Sequence, residues 1–277
     1  VGLDIALIQT RTPATAREAL AHVEPLIREA AAGGAKFILT PEGTNLLEQR
    51  RERRADVLTD EDADIAVVGL RRLSAELGVW LLIGSASVRS GHEGDDRAAN
   101  RSLLVDASGA IVARYDKLHV FDVDLPNGER YRESAAVRPG ERAVVADTPW
   151  GRLGLSICYD VRFSHLYRQL AKAGAAMISV PAAFTAPTGE AHWETLLRAR
   201  AIETGAFVLA PAQGGPHDDG RRTWGRSTVV GPWGEIIARA DHDAPCIVRA
   251  KLDMEAVAKA RAAIPALIHD RDFLPAT

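Results

Sequence analysis

The sequence predicts a layered α/β fold, and three observations predict it. Strand-like and helix-like patterns alternate from end to end, the early strand candidates are near-continuous apolar runs, and no Pro/Ser-rich linker divides the chain. Strands buried on both faces read as continuous apolar runs, and alternating strand–helix units build sheets covered by helices.

The first strand covers 3–9 and opens on Leu3-Asp4-Ile5-Ala6-Leu7-Ile8. No basic segment precedes it, so it reads as a strand entering the fold rather than a secretion signal. A helix follows over about 15–32: Thr15 and Glu18 form a capping box, Leu20, Val23, Ile27 and Ala30 keep helical spacing, and Gly33-Gly34 ends it. Pro25 predicts a kink. The strand 36–40 leads to a helix at 61–77, carried by Ile65, Leu70, Leu73 and Leu77 and closed by Gly78. Strands are predicted at 78–84, 101–106 and 111–115, with the polar stretch Ser90 to Ala98 as a surface loop. Residues 122–140, with Pro126, Asn127-Gly128 and Pro139-Gly140, form the longest non-periodic stretch. A loop that long in a compact domain is usually functional. The pattern then repeats. A strand at 153–158, a helix at 163–173, a strand at 176–181 and a helix at 190–204 stopped by Gly205 are followed by strands at 206–212, 226–231, 235–240 and 245–251. A weaker helix covers 253–262.

Composition excludes several classes. With 47% apolar residues and a net charge of -3 over 277 residues, the chain is not disordered. Lys+Arg number 34 against 37 Asp+Glu, which argues against a nucleic-acid partner. No apolar run approaches the roughly 18 residues of a membrane span. Two cysteines, Cys158 and Cys246, cannot build a disulfide framework, so a reducing, cytoplasmic setting is expected. The eight histidines form no zinc motif, and no phosphate loop, dinucleotide fingerprint or G-x-S-x-G elbow is present. No metal or organic cofactor is expected.

Three strand-end residues could carry chemistry. Glu42 follows Phe37-Ile38-Leu39-Thr40-Pro41, Lys117 follows the strand ending at Tyr115-Asp116, and Cys158 follows Leu155-Ser156-Ile157. Reactive groups collect at the carboxyl ends of strands in open α/β folds. A thiol needs a base, and a neighbouring cation favours its thiolate and any oxyanion it generates. Taken singly, a cysteine at a strand end is most often an inert core residue, and a glutamate or lysine after a strand is most often a surface residue. A Cys–His pair of Cys158 with His119 is a competing reading.

The strings around these residues resemble the nitrilase superfamily of carbon–nitrogen hydrolases, from about residue 3 to 240. Leu39-Thr40-Pro41-Glu42, Tyr115-Asp116-Lys117-Leu118-His119 and Ser156-Ile157-Cys158-Tyr159-Asp160-Val161-Arg162 resemble its base, lysine and nucleophile blocks. Tyr131-Arg132-Glu133-Ser134 resembles the block with its second glutamate, and Ala212-Gln213-Gly214 and Gly231-Pro232-Trp233-Gly234-Glu235 add support. The resemblance implies a four-layer αββα sandwich and one carbon–nitrogen hydrolase domain over 1–277, because the three reactive residues span both halves. It also implies a Glu42–Lys117–Cys158 triad helped by Glu133, a thioester intermediate, and an oxyanion held by Lys117 and the Tyr159 amide.

Tyr159, Arg162 and Phe184 are the expected substrate contacts, with an Asp160–Arg162 ion pair as the other reading of Arg162. Trp193, Arg198 and Arg200 are expected to be structural, and the run Arg50-Arg51-Glu52-Arg53-Arg54 to be a solvated face. The strings at 121–124 and 131–134 look most like Nit-type amidases, which cleave ω-amides or deaminated glutathione. N-carbamoyl amino acid hydrolysis, nitrile hydrolysis and a non-catalytic interaction module are the alternatives. A homodimer is expected, with the tail at about 252–277 at its interface; that tail only partly resembles the usual one.

Overall fold

The computed structural model describes residues 2–274 apart from 49, 51–52, 54–56 and 126–127. Its first six-stranded sheet contains β1 (Gly2–Gln9), β2 (Phe37–Leu39), β3 (Trp80–Arg89), β4 (Ala98–Val105), β5 (Ile111–Asp116) and β16 (Cys246–Asp253), in the order β16-β1-β2-β3-β4-β5. Its second contains β8 (Val144–Thr148), β9 (Gly151–Leu155), β10 (Ala175–Ser179), β11 (Phe207–Ala210), β14 (Thr228–Val230) and β15 (Ile236–Arg239), in the order β15-β14-β11-β10-β9-β8. Each sheet has three parallel strands at its centre, β1-β2-β3 and β9-β10-β11, flanked by antiparallel ones. Two small hairpins, β6 (Asp122–Asp124) with β7 (Arg130–Arg132) and β12 (Gly214–Pro216) with β13 (Arg222–Trp224), lie outside the sheets.

Strand alternation divides the core. On β1, Leu3, Ile5 and Leu7 join Leu153, Leu155 and Met177 between the sheets, while Ala6 and Ile8 face the outer helices. Those helices are α1 (Ala16–Ala32) and α2 (Ile65–Leu77), which bury Val23, Ile27, Leu70 and Leu73. Beyond the second sheet lie α3 (Ser164–Lys172) and α4 (Ala186–Thr204), burying Tyr167, Leu170, Trp193 and Leu197. The result is the expected αββα sandwich. The last helix, α5 (Glu255–Ala263), buries Val257 and Ala260, and Asp270 beyond it pairs with Arg168 at 2.9 Å and with Lys172 on α3.

Several boundaries differ from the sequence expectation. Thr15 does cap α1, its Oγ1 accepting from the Glu18 amide, and the helix runs on through Pro25. The helix expected from 61 starts at Ile65, because the Asp64 carboxylate accepts from the Val67 amide at 2.9 Å and acts as N-cap. The strand expected over 153–158 stops at Leu155, and Cys158 instead opens a 3-10 helix at 158–162. Strand β8 was not expected: it is a half-buried edge strand with little apolar signal. Within 122–140 the chain forms the β6–β7 hairpin and a 3-10 turn at 133–135 rather than open loop; Pro126 and Asn127 lie outside the described residues. Of the arginine run, Arg51, Glu52 and Arg54 also lie outside them, and Arg50 pairs with Glu48 at 2.5 Å.

Candidate active site

The fold brings the strand-end residues to one place. Glu42 stands three residues beyond β2 and Lys117 directly after β5. Cys158 stands three residues beyond β9, in the second sheet. Its backbone is left-handed, with φ 49°, a conformation that costs a non-glycine residue about 1–3 kcal/mol. The Cys158 amide donates to the Pro181 carbonyl at 2.9 Å, which ties this sharp turn to the segment after β10. The Tyr159 amide follows in the first turn of the 3-10 helix, where amides lack an intrahelical acceptor.

Lys117 is 2% exposed and donates to both glutamates, to Glu42 at 2.9 Å and to Glu133 at 2.9 and 3.1 Å. Glu133 also accepts from the Phe121 amide at 2.6 Å. The second Glu42 oxygen accepts from the Ala183 amide at 2.8 Å. The Cys158 thiol is also a hydrogen-bonding neighbour of Glu42. Burial pushes the Glu42 carboxyl up, but the Lys117 charge and hydrogen bonds from Lys117, Cys158 and Asn100 outweigh it and hold it below the ordinary value. Burial disfavours the Lys117 cation, yet Glu133, Glu42 and Cys158 hold its pKa well above the ordinary lysine value. Burial and the adjacent Glu42 charge push the Cys158 thiol well up, against the pull of Lys117. The resting set is therefore a carboxylate, an ammonium and a protonated thiol.

A cavity of about 280 Å³ opens over these groups. Tyr159 and Phe184 line it. Arg162 is absent from its lining: the guanidinium lies 5.3 Å from the Phe184 ring centroid and 5.9 Å from that of Tyr159, and it meets His192 at 3.3 Å. The Asp160–Arg162 ion pair is not formed. Asp160 is fully buried and accepts instead from the Tyr115 hydroxyl at 2.6 Å, the Ile157 amide at 2.8 Å and the His119 amide at 3.0 Å. Its remaining contact is with His119 Nδ1 at 2.7 Å. This occupies His119, which stacks on Phe163 and does not line the cavity, so the Cys158–His119 pairing is not formed. Trp193 is buried, with Nε1 donating to the Arg226 carbonyl at 3.0 Å. Arg198 donates to the Gly234 carbonyl, and Arg200 pairs with Glu203.

Sequence reasoning missed several contributors. Asn100 on β4 donates to Glu42 at 2.8 Å and to Glu133 at 3.3 Å, bridging the two carboxylates. The one signal was an amide residue inside a strand, where asparagine is disfavoured. Gln213 accepts from Thr10 Oγ1 and the Thr12 amide, and donates to Thr12 Oγ1 and the Glu42 carbonyl. A fully satisfied buried amide thus stitches the two sheets together beneath the site. Arg130, Tyr131, Arg221 and Arg222, from the two small hairpins, line the cavity.

Comparison with known proteins agrees with this architecture. Residues 4–262 match the family described as Carbon-nitrogen hydrolase. The deaminated glutathione amidase of Yersinia enterocolitica is 42% identical over 269 residues, which cover 97% of this chain and 93% of that protein. The solved NitFhit protein of C. elegans is 34% identical with a TM-score of 0.89, and the match covers 98% of this chain but 65% of that longer one. A glutamate-to-glutamine mutant of the amidase from Nesterenkonia sp. AN1 was solved with acrylamide added at its active-site cysteine; it is 27% identical with a TM-score of 0.77, covering 95% of this chain and 98% of that one. By sequence along nearly its whole length and by fold, the chain belongs to the carbon–nitrogen hydrolase family.

Proposed function

We propose that this hydrolase is a thiol amidase. It splits a small carboxylate-bearing linear amide into acid and ammonia through a thioester on Cys158. One observation carries the reading: a buried thiol, a carboxylate held ionised and a buried ammonium share one cavity. The name of the Yersinia relative and the modified active-site cysteine of the Nesterenkonia amidase support it.

In this mechanism Glu42 takes the thiol proton as sulfur attacks the amide carbon. The oxyanion is stabilised by the Lys117 ammonium and the Tyr159 amide. Protonated Glu42 returns the proton to the amide nitrogen, the C–N bond breaks and ammonia leaves. Glu42 then takes a proton from water as the water oxygen attacks the thioester. Collapse of that adduct releases the carboxylic acid and restores the thiol. Glu133 acts through Lys117, fixing the ammonium, while Tyr159 and Phe184 contact the substrate. Arg162 contributes by bracing those two rings rather than by touching substrate.

The test measures ammonia release from ω-amides, N-carbamoyl amino acids and nitriles, and release of the peptide amine from deaminated glutathione. Turnover of anionic amides, lost in Cys158→Ala, is expected. Full activity in Cys158→Ala would sink the mechanism, and selective turnover of N-carbamoyl amino acids or nitriles would replace the substrate assignment. The need for a free thiol fits a reducing, cytoplasmic setting, and no helix among the described residues is long and apolar enough to cross a membrane. The protein is further proposed to work as one domain and as a homodimer. Trp233 and Ile202, 60% and 57% exposed, and the tail residues Ile264 and Ile268 offer apolar surface for the contact. A monomeric mass by light scattering would contradict the dimer.

A further inference from the structure

The cavity is electrically polarised along its depth. Its floor holds Glu42, Glu133 and Lys117, a net charge of one negative when both carboxylates are ionised. A substrate carboxylate is repelled there, whereas a neutral amide group is not. The mouth is the opposite. Arg130 and Arg132 of β7 line it on one hairpin, and Arg221 and Arg222 line it on the other. Their carboxylate partners do not face the cavity: Asp124 serves both Arg130 and Arg132, Asp219 holds Arg221, and Asp243 holds Arg222, and none of the three aspartates lines it. Glu48 does line the cavity, but its carboxylate accepts hydrogen bonds from Arg50.

Two of the four arginines are tied to structure. Arg132 also donates to the carbonyls of Val123 and Tyr131, and the Arg221 side chain is 17% exposed against Asp219. Arg130 and Arg222 differ. Their side chains are 79% and 63% exposed; Arg130 meets Asp124 at 3.5 Å, an oxygen that Arg132 holds more tightly at 2.8 Å. These are solvent-exposed guanidinium forks beside the cavity, suited to bidentate capture of a carboxylate once Arg222 gives up its 2.6 Å contact with Asp243.

We propose that Arg130 and Arg222 form a carboxylate subsite at the mouth, separate from the catalytic floor. The enzyme then selects elongated anionic amides, bound with the amide at Cys158 and the distal carboxylate between the two hairpins. This rests on the amidase reading above and adds to it the substrate's orientation and the residues that impose it.

The test compares wild type, Arg130→Gln, Arg222→Gln and the double variant on an anionic ω-amide and on neutral butyramide. The ratio of kcat/KM for the anionic over the neutral amide should fall roughly tenfold or more in the double variant, through KM, as expected for a lost charge-assisted contact. Added salt should lower the same ratio in wild type. A turnover-independent arm measures how far pentanoate, a free monocarboxylate whose apolar chain can reach toward the floor, slows iodoacetamide labelling of Cys158. Protection in wild type that is lost in the double variant is expected. Unchanged ratio and unchanged protection in the double variant would overturn the subsite while leaving the amidase intact. Pentanoate protection without turnover of any amide would overturn the amidase reading and retain the anion subsite.

Discussion

Replacing Asp160 by asparagine should destabilise the protein and loosen the catalytic turn together. The carboxylate has four close partners, and they come from both sides of the site. Oδ1 meets the His119 amide and His119 Nδ1, two residues beyond Lys117; Oδ2 meets the Tyr115 hydroxyl and the Ile157 amide, beside Cys158. Asparagine has one accepting oxygen and one donating nitrogen. With its oxygen kept toward His119, its NH2 faces Tyr115, whose hydroxyl can rotate to accept, and the Ile157 N–H, which is left without an acceptor. A buried unsatisfied donor costs about 1–3 kcal/mol, and the bonds weakened by loss of the charge add about 1.5–3 kcal/mol. The expected loss is therefore about 2.5–6 kcal/mol, read by urea unfolding as a midpoint lower by about 1 M or more. Turnover should fall even where the variant remains folded, since Lys117 and Cys158 lose their shared clamp. A midpoint within about 0.2 M of wild type, with kcat unchanged, would refute the reasoning.

Three further outcomes follow from the site and its hairpins. With Glu42 as the proposed base, Glu42→Gln should slow iodoacetamide labelling of Cys158 relative to Cys246; faster labelling would show that loss of the carboxylate charge, which raises the thiol pKa, outweighs loss of the base and would count against that role. Asn100→Ala removes a hydrogen bond that favours the Glu42 anion, so the acid limb of kcat/KM should move to higher pH, and a stationary limb would argue against the bond's role. His217 is buried with Nδ1 unpartnered, and burial, with the nearby Arg221 charge, pushes its pKa down to about 4. Below pH 6.5 the unfolded chain binds this proton more readily than the folded one, so stability should fall by about 2–3 kcal/mol between pH 6.5 and 4 and then level. His217→Gln should flatten that limb in urea unfolding at a series of pH values.

Much of the architecture was legible in the chain. Apolar runs such as Phe37-Ile38-Leu39 can be buried only between layers, and they became central strands. Edges were less legible. β8 and the two hairpins carry three- to five-residue strands with polar or glycine-rich sequences, and their pairing partners rather than their propensities hold them in place. The Asp160–Arg162 pairing failed for a related reason. Closeness in sequence favours such a pair, but Asp160 is buried and its oxygens are taken by Tyr115 and His119 from across the site and by the Ile157 amide of its own turn, whereas Arg162 lies at the surface near His192.

The sequence by itself determined the layers, the family and which residue types stand at the ends of β2, β5 and β9, because periodicity and local motifs are written within one segment. Only the tertiary structure decided what those residues meet. Asn100 bridging two carboxylates, Gln213 joining the sheets and the arginines around the mouth depend on segments up to 203 residues apart. Their roles arise from burial and charge at a junction of both sheets, and no stretch of chain holds that environment alone.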